Sequence, residues 1–182
     1  MKLVKVLMVA GISAALLAGC GNNNNAANDA ASPAPATEQT DATSAASIVN
    51  EADAFVKAVS AEGTWIVATL NDVTVEQDVT VAGEFHDKGL AENDVYRKIA
   101  LYAQDADHNI TASYTLTVPK LTVQSENLRV QGGTIKGDVY VEANGFNLHE
   151  SAKIEGNLYF ASEEVKTSAV IDGSVSGETA VQ

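Results

Sequence analysis

Three periodicities divide the chain. From Val6 to Leu17 the positions are apolar, interrupted only by Gly11 and Ser13. Between Val49 and Val59 they recur at helical spacing, with Val49, Ala52, Val56 and Val59 on one stripe and Phe55 beside them. Ser47 or Asn50 precedes this stripe as a cap and Gly63 follows it, so the pattern predicts one amphipathic helix over 47–62. Beyond Gly63 the period falls to two, in triplets: Val73-Thr74-Val75, Val79-Thr80-Val81, Leu121-Thr122-Val123 and Leu128-Arg129-Val130. Strands this short do not build an ordinary meander, and they predict partners at a regular distance along the chain.

The C-terminal third, laid against itself, supplies that distance. Leu121, Val139, Leu158 and Val175 are 18, 19 and 17 apart; Leu128, Phe146 and Val165 are 18 and 19 apart; Ile135, Ile154 and Ile171 are 19 and 17 apart. Each series opens a triplet, so every turn of about 18 residues carries three inward edges. The expected fold is all-β: a three-sided β-helix, or solenoid, over 64–177. The helix caps its N-terminal end and 178–182 forms a tail. Gly137, Gly156 and Gly173 are expected at one corner, followed by the turn formers Asp138, Asn157 and Ser174 as a polar ladder. Val95 to Ala103 and Ile110 to Val118 read as a β-hairpin inserted within about 86–118.

The units Ile135-Lys136-Gly137-Asp138-Val139 and Ile154-Glu155-Gly156-Asn157-Leu158, and more loosely Ile171-Asp172-Gly173-Ser174-Val175, resemble the repeats of bactofilins, the bacterial polymer-forming cytoskeletal proteins. The resemblance covers about 121–177, and Val73 to Phe85 faintly. It implies a right-handed solenoid that assembles through its end coils, with neither enzyme activity nor nucleotide. Bactofilins are cytoplasmic, whereas this chain carries an export signal.

That signal is the first apolar run, which follows Lys2 and Lys5 and falls short of the roughly 20 residues that span a bilayer. Leu17-Ala18-Gly19-Cys20 resembles the lipobox of bacterial lipoproteins. The resemblance implies removal of a signal peptide at 1–19, a diacylglycerol thioether on Cys20, and further acylation, such as palmitate, of the new amino terminus. Membrane lipid is then the first partner, and the location is extracytoplasmic, on the outer membrane if the host has one, since Gly21 replaces the Asp of an inner-membrane retention signal. Residues 20–46, rich in Asn, Ala, Ser and Pro, read as a disordered tether.

Composition narrows the functions. The 182 residues hold 11 basic and 24 acidic side chains, a formal charge of −13, and one cysteine. A single thiol rules out internal disulfides and multi-thiolate metal sites, and the acidic balance argues against a nucleic-acid partner. Asp105-x-Asp107-x-Asn109 has the spacing that opens a calcium loop, but Ile110 stands where Gly is required and Leu116 where Glu is required, so a polar hairpin tip is expected there. The three histidines adjoin acids in separate loops, and no catalytic constellation or cofactor motif is present. The outward positions Thr122, Tyr140, Tyr159 and Ser176 form an exposed column whose aromatic rings suit glycan rings or a protein partner. Two classes remain: a non-enzymatic envelope scaffold whose open C-terminal coil pairs with its like in a dimer, and a module that holds cell-wall glycan or an envelope protein on the tyrosine face.

Overall fold

The protein is described by a computed structural model covering residues 46–182. The signal segment 1–19, Cys20 and residues 21–45 of the tether lie outside the described residues. In chain order the elements are β1 (Ser47–Ile48), α1 (Ala52–Val59), β2 (Ile66–Ala68), β3 (Val73–Thr74), β4 (Val79–Val81), β5 (Arg97–Ala100), β6 (Tyr102–Gln104), β7 (Ile110–Ser113), β8 (Thr115–Val123), β9 (Leu128–Gln131), β10 (Thr134–Val141), β11 (Asn147–Leu148), β12 (Lys153–Glu155), β13 (Leu158–Phe160), α2 (Glu163–Ser168), β14 (Val170–Ile171), β15 (Ser174–Val175) and β16 (Thr179–Val181).

The described residues are mostly β, in parallel sheets. One sheet runs β1-β2-β5-β9-β11-β14; in the other β8 lies beside β10, β3 and β4 pair with β8, β12 and β13 pair with β10, and β15 and β16 add to β12 and β13. Alternation explains the strands. Val67, Ile99, Val130 and Leu148 register on one another and are buried, as are Val79, Leu121, Val139 and Leu158. Neighbouring strands lie about 4.7–4.9 Å apart, so like side chains stack into columns. The columns join one apolar core from Val49 to Val165, to which α1 contributes Phe55, Ala58 and Val59. Each large aliphatic side chain buried there contributes about 1.5–3 kcal/mol.

The last turn departs from the expected repeat. Ile154 pairs with Val175 and Leu158 with Thr179, a spacing of 21, while Ile171 pairs with Leu148. The extra length is α2, where Val165 is buried on a helix instead of opening a strand. Ser162 caps it by accepting from Val165 N at 3.2 Å, and Glu163 and Glu164 favour its first turn. Two corrections follow. The glycine column continues from Gly137 and Gly156 to Gly177, and Gly173 sits instead against the carbonyls of His149 and Ala152. Residues 179–181 are a strand and no tail, so the polar ladder runs Asp138, Asn157, Glu178. Asp138 Oδ1 accepts from Asn157 N at 2.8 Å and Nδ2 at 3.0 Å, and Asn157 Oδ1 accepts from Glu178 N at 2.9 Å.

The N-terminal helix is shorter than the apolar stripe suggested. Ser47 and Ile48 pair with Val67 and Ala68 as a parallel strand, which gives their backbone partners that a first helical turn lacks. Asn50 does not cap α1; its Oδ1 accepts from Leu70 N at 2.9 Å. The inserted hairpin is also smaller: β6 and β7 are its antiparallel strands, and one antiparallel bridge joins His86 to Val95. Its expected flanks, β5 and β8, are parallel strands held inward by Ile99, Leu116 and Val118. No helix among the described residues is long and apolar enough to cross a membrane.

Candidate functional site

Three surfaces hold the expected residues. The first is the C-terminal edge. β14, β15 and β16 each pair on one side only, with β11, β12 and β13. Val170 and Ile171 are 48% and 37% exposed there, among the most exposed large apolar side chains described. At the other end α1 packs on β2 and β4, burying its apolar face. An unpaired strand edge presents free N–H and C=O groups to any further strand.

The second surface is the tyrosine column. Tyr140 registers on Thr122 and on Tyr159, and all three are half-buried. The column ends on Ala180 instead of Ser176, because the last turn is longer. Lys120, Asp138 and Gln182 join the two tyrosines in lining a shallow groove, with Tyr140 Oη at 3.5 Å from the Gln182 carbonyl. Lys120 and Asp138 are opposite one another in the β8–β10 register, a neighbourhood that triplet spacing alone does not reveal because the register shifts between Lys136 and Asp138. Lys120 reaches Asp78 at 3.8 Å on the far side.

The hairpin tip is closed on itself. Asp105 Oδ1 accepts from Asp107 N at 3.0 Å and Asn109 N at 2.9 Å, and Oδ2 accepts from Asn109 Nδ2 at 3.2 Å. These bonds, the Asn109 backbone first, hold the Asp105 carboxyl below its ordinary range. His108 takes a left-handed conformation, φ 64°, to close the turn. Asp105 thus uses both carboxylate oxygens on the tip, while Asp107 contributes its backbone N–H and Asn109 its backbone and side-chain N–H groups, and no group of three or more acidic, histidine or cysteine side chains is placed for a metal among the described residues.

The histidines lie in three loops. His86 Nδ1 meets the Asn93 carbonyl at 2.8 Å, His108 Nδ1 the Gln104 amide at 3.1 Å, and His149 Nδ1 the Ser151 hydroxyl at 2.7 Å. No one site brings them together. Cys20 lies outside the described residues. No protein-family model matches the chain, and neither a curated protein nor a solved structure matches it.

Proposed function

We propose that the protein is a lipid-anchored scaffold of the bacterial cell envelope, a three-sided, right-handed β-solenoid of the bactofilin-like kind that self-associates through its C-terminal edge. The observation that carries this reading is the one-sided pairing of β14–β16 beside exposed Val170 and Ile171. A second copy suits that edge because it offers the same backbone spacing and the same apolar pair. Two such edges meet about a two-fold axis, and the contact is self-complementary. At the opposite end β1, β3 and β4 also pair on one side only, with α1 packed on β2 and β4, and self-association is proposed at the C-terminal edge alone. The protein performs no chemistry in this role and needs no cofactor.

The test is light scattering behind size exclusion on residues 37–182, the compact unit that contains the whole described core. Mass is expected to double as concentration rises, and Ile171→Lys, at a position already exposed, is expected to hold the chain monomeric without changing its melting temperature. A wild-type chain that stays monomeric at high concentration overturns the reading. Anchoring is tested separately. Radiolabelled palmitate is expected to mark the wild-type chain and not Cys20→Ser, and a wild-type chain that takes up no label would remove the lipid anchor from the proposal.

The groove of Tyr140 and Tyr159 supports a second reading, a module that holds cell-wall glycan or an envelope protein, because aromatic faces and a carboxylate line one depression. Unchanged retention of Tyr140→Ala and Tyr159→Ala variants on isolated cell wall counts against it.

A further inference from the structure

The outer face of the β1–β14 sheet gathers residues that neither reading uses. Lys98 on β5, Arg129 on β9 and Asn147 on β11 stand in register on consecutive strands. Their neighbours Ile99, Val130 and Leu148 point into the core, so these three point outward. Around them lie Trp65, the one tryptophan of the chain, and two of the five tyrosines, Tyr96 and Tyr102. The Trp65 and Tyr96 rings are 6.2 Å apart at 58°. Lys98 Nζ donates to Tyr102 Oη at 2.9 Å and stands 5.2 Å from the centre of that ring. Tyr102 in turn lies across Gly132, where a side chain would collide with the ring. Burial raises the Tyr96 phenol while the nearby Arg129 charge lowers it.

Two features mark this face as incomplete. In a chain of formal charge −13, Lys98 and Arg129 form no salt bridge among the described residues, whereas Lys120 and Lys153 do. Arg129 Nε and Asn147 Oδ1, one donor and one acceptor on paired residues, are buried atoms without a hydrogen-bond partner among the described residues. Buried polar atoms are nearly always paired, and an orphaned donor beside an orphaned acceptor matches a ligand that offers both an anionic oxygen and a hydroxyl.

We infer that this face binds a carboxylate-bearing saccharide, with the carboxylate between Lys98 and the outer nitrogens of Arg129, the Asn147 amide turning outward to accept from a sugar hydroxyl, and sugar rings against Trp65 and Tyr102. Charge complementarity selects the occupant: the guanidinium takes a carboxylate through its fork, and the flanking rings take the apolar faces of a pyranose. The surrounding acidic surface repels dense polyanions, so short or sparsely charged chains are favoured. The site is centred on the interior strands β5 and β9, but its Asn147 end on β11 pairs with Val170 of the edge strand β14, so Ile171→Lys, expected to hold the chain monomeric, is the background in which saccharide binding is to be repeated.

Trigalacturonate and its methyl ester, equal in length and different in charge, are the probes, titrated into residues 37–182 and followed by amide chemical shifts. The free acid is expected to bind with a dissociation constant of about 1 mM. The shifts should concentrate on 96–102, 129–132 and 147. The ester should bind at least about tenfold more weakly, as should the free acid to Arg129→Gln, a half-exposed site whose loss leaves the core intact. Binding of the ester or of tetraglutamate as tight as that of the acid overturns the inference. So do shifts centred on Tyr140 and Tyr159, or no shift at all in the wild-type chain.

Discussion

Arg97→Ala is expected to destabilise the domain by about 3–5 kcal/mol, enough to unfold a small domain of ordinary stability. Arg97 is the largest fully buried side chain among the described residues, 1% exposed, and no carboxylate among them meets it. Its guanidinium instead donates to the carbonyls of Ala58 at 2.9 Å, Ser60 at 3.0 Å, Thr64 at 3.2 Å and Ala82, and to Ser125 Oγ at 3.0 Å. The Phe85 ring lies 4.1 Å from its central carbon. Ala58 and Ser60 end α1, so the cation sits at the negative pole of the helix and ties it to the turns after β4 and β8. Truncation leaves a cavity and strands several carbonyls at once. Arg97→Lys is expected to lose about 2 kcal/mol or more, because one ammonium cannot reach acceptors spread around a fork. Urea midpoints measure both, and a lysine variant within about 0.5 kcal/mol of wild type would show that the fork is dispensable.

Burial pushes the Arg97 pKa down from its ordinary value to about 10, which leaves the side chain charged at neutral pH. The folded state then binds this proton more weakly than the unfolded state. Below about pH 10 both states hold the proton, and Arg97 adds no pH dependence; above about pH 10 the unfolded state binds more, so its contribution to stability rises with pH.

The second large effect is at a corner. Gly137→Ala is expected to cost about 2–5 kcal/mol, from an unfavourable φ and from a collision with the Val118 carbonyl. Gly137 has φ +143°, and an added Cβ would meet that oxygen first. The cause is local. β10 and β8 change register here, Lys136 facing Thr117 and Asp138 facing Lys120, so that Val118 and Pro119 oppose a single residue. Gly89 provides the contrast, with φ +69° but no atom nearer than 3.9 Å to its added Cβ. Gly89→Ala therefore carries only the backbone term, about 1 kcal/mol. Melting temperatures of the two variants separate crowding from φ preference, and equal shifts would exclude crowding at Gly137.

Much of the strand pairing was legible because stacked inward residues leave their spacing in the chain. Leu121, Val139 and Leu158 pair in register at 18 and 19 residues, as do Ile135 and Ile154 at 19. The last turn was not legible, because Val165 falls on the repeat by coincidence while Ser162, Glu163 and Glu164 start a helix. Val49, Ala52, Val56 and Val59 made Ser47–Ile48 look helical when a partner strand claims it. The register of Thr122, Tyr140 and Tyr159 could be read from triplets, but a charged residue in an alternating pattern reads as exterior, which hid Arg97 in the core. Lys98 and Arg129 escaped notice because the β6–β7 excursion stretches their spacing to 31.

That excursion also sets the order in which the pairings become affordable to an unfolded chain. Val139 and Leu158 close a loop of 19 residues, and Val79 and Leu121 close one of 42. Closure entropy grows with the logarithm of loop length, so the longer loop costs about 0.6 kcal/mol more before any contact repays it. The short-range turns of β10, β12 and β13 are the cheapest place to begin, and β3 and β4 can dock only once β8 is in place. Folding is therefore expected to proceed backward along the chain, from the repeats toward α1, although a ribosome delivers α1 first.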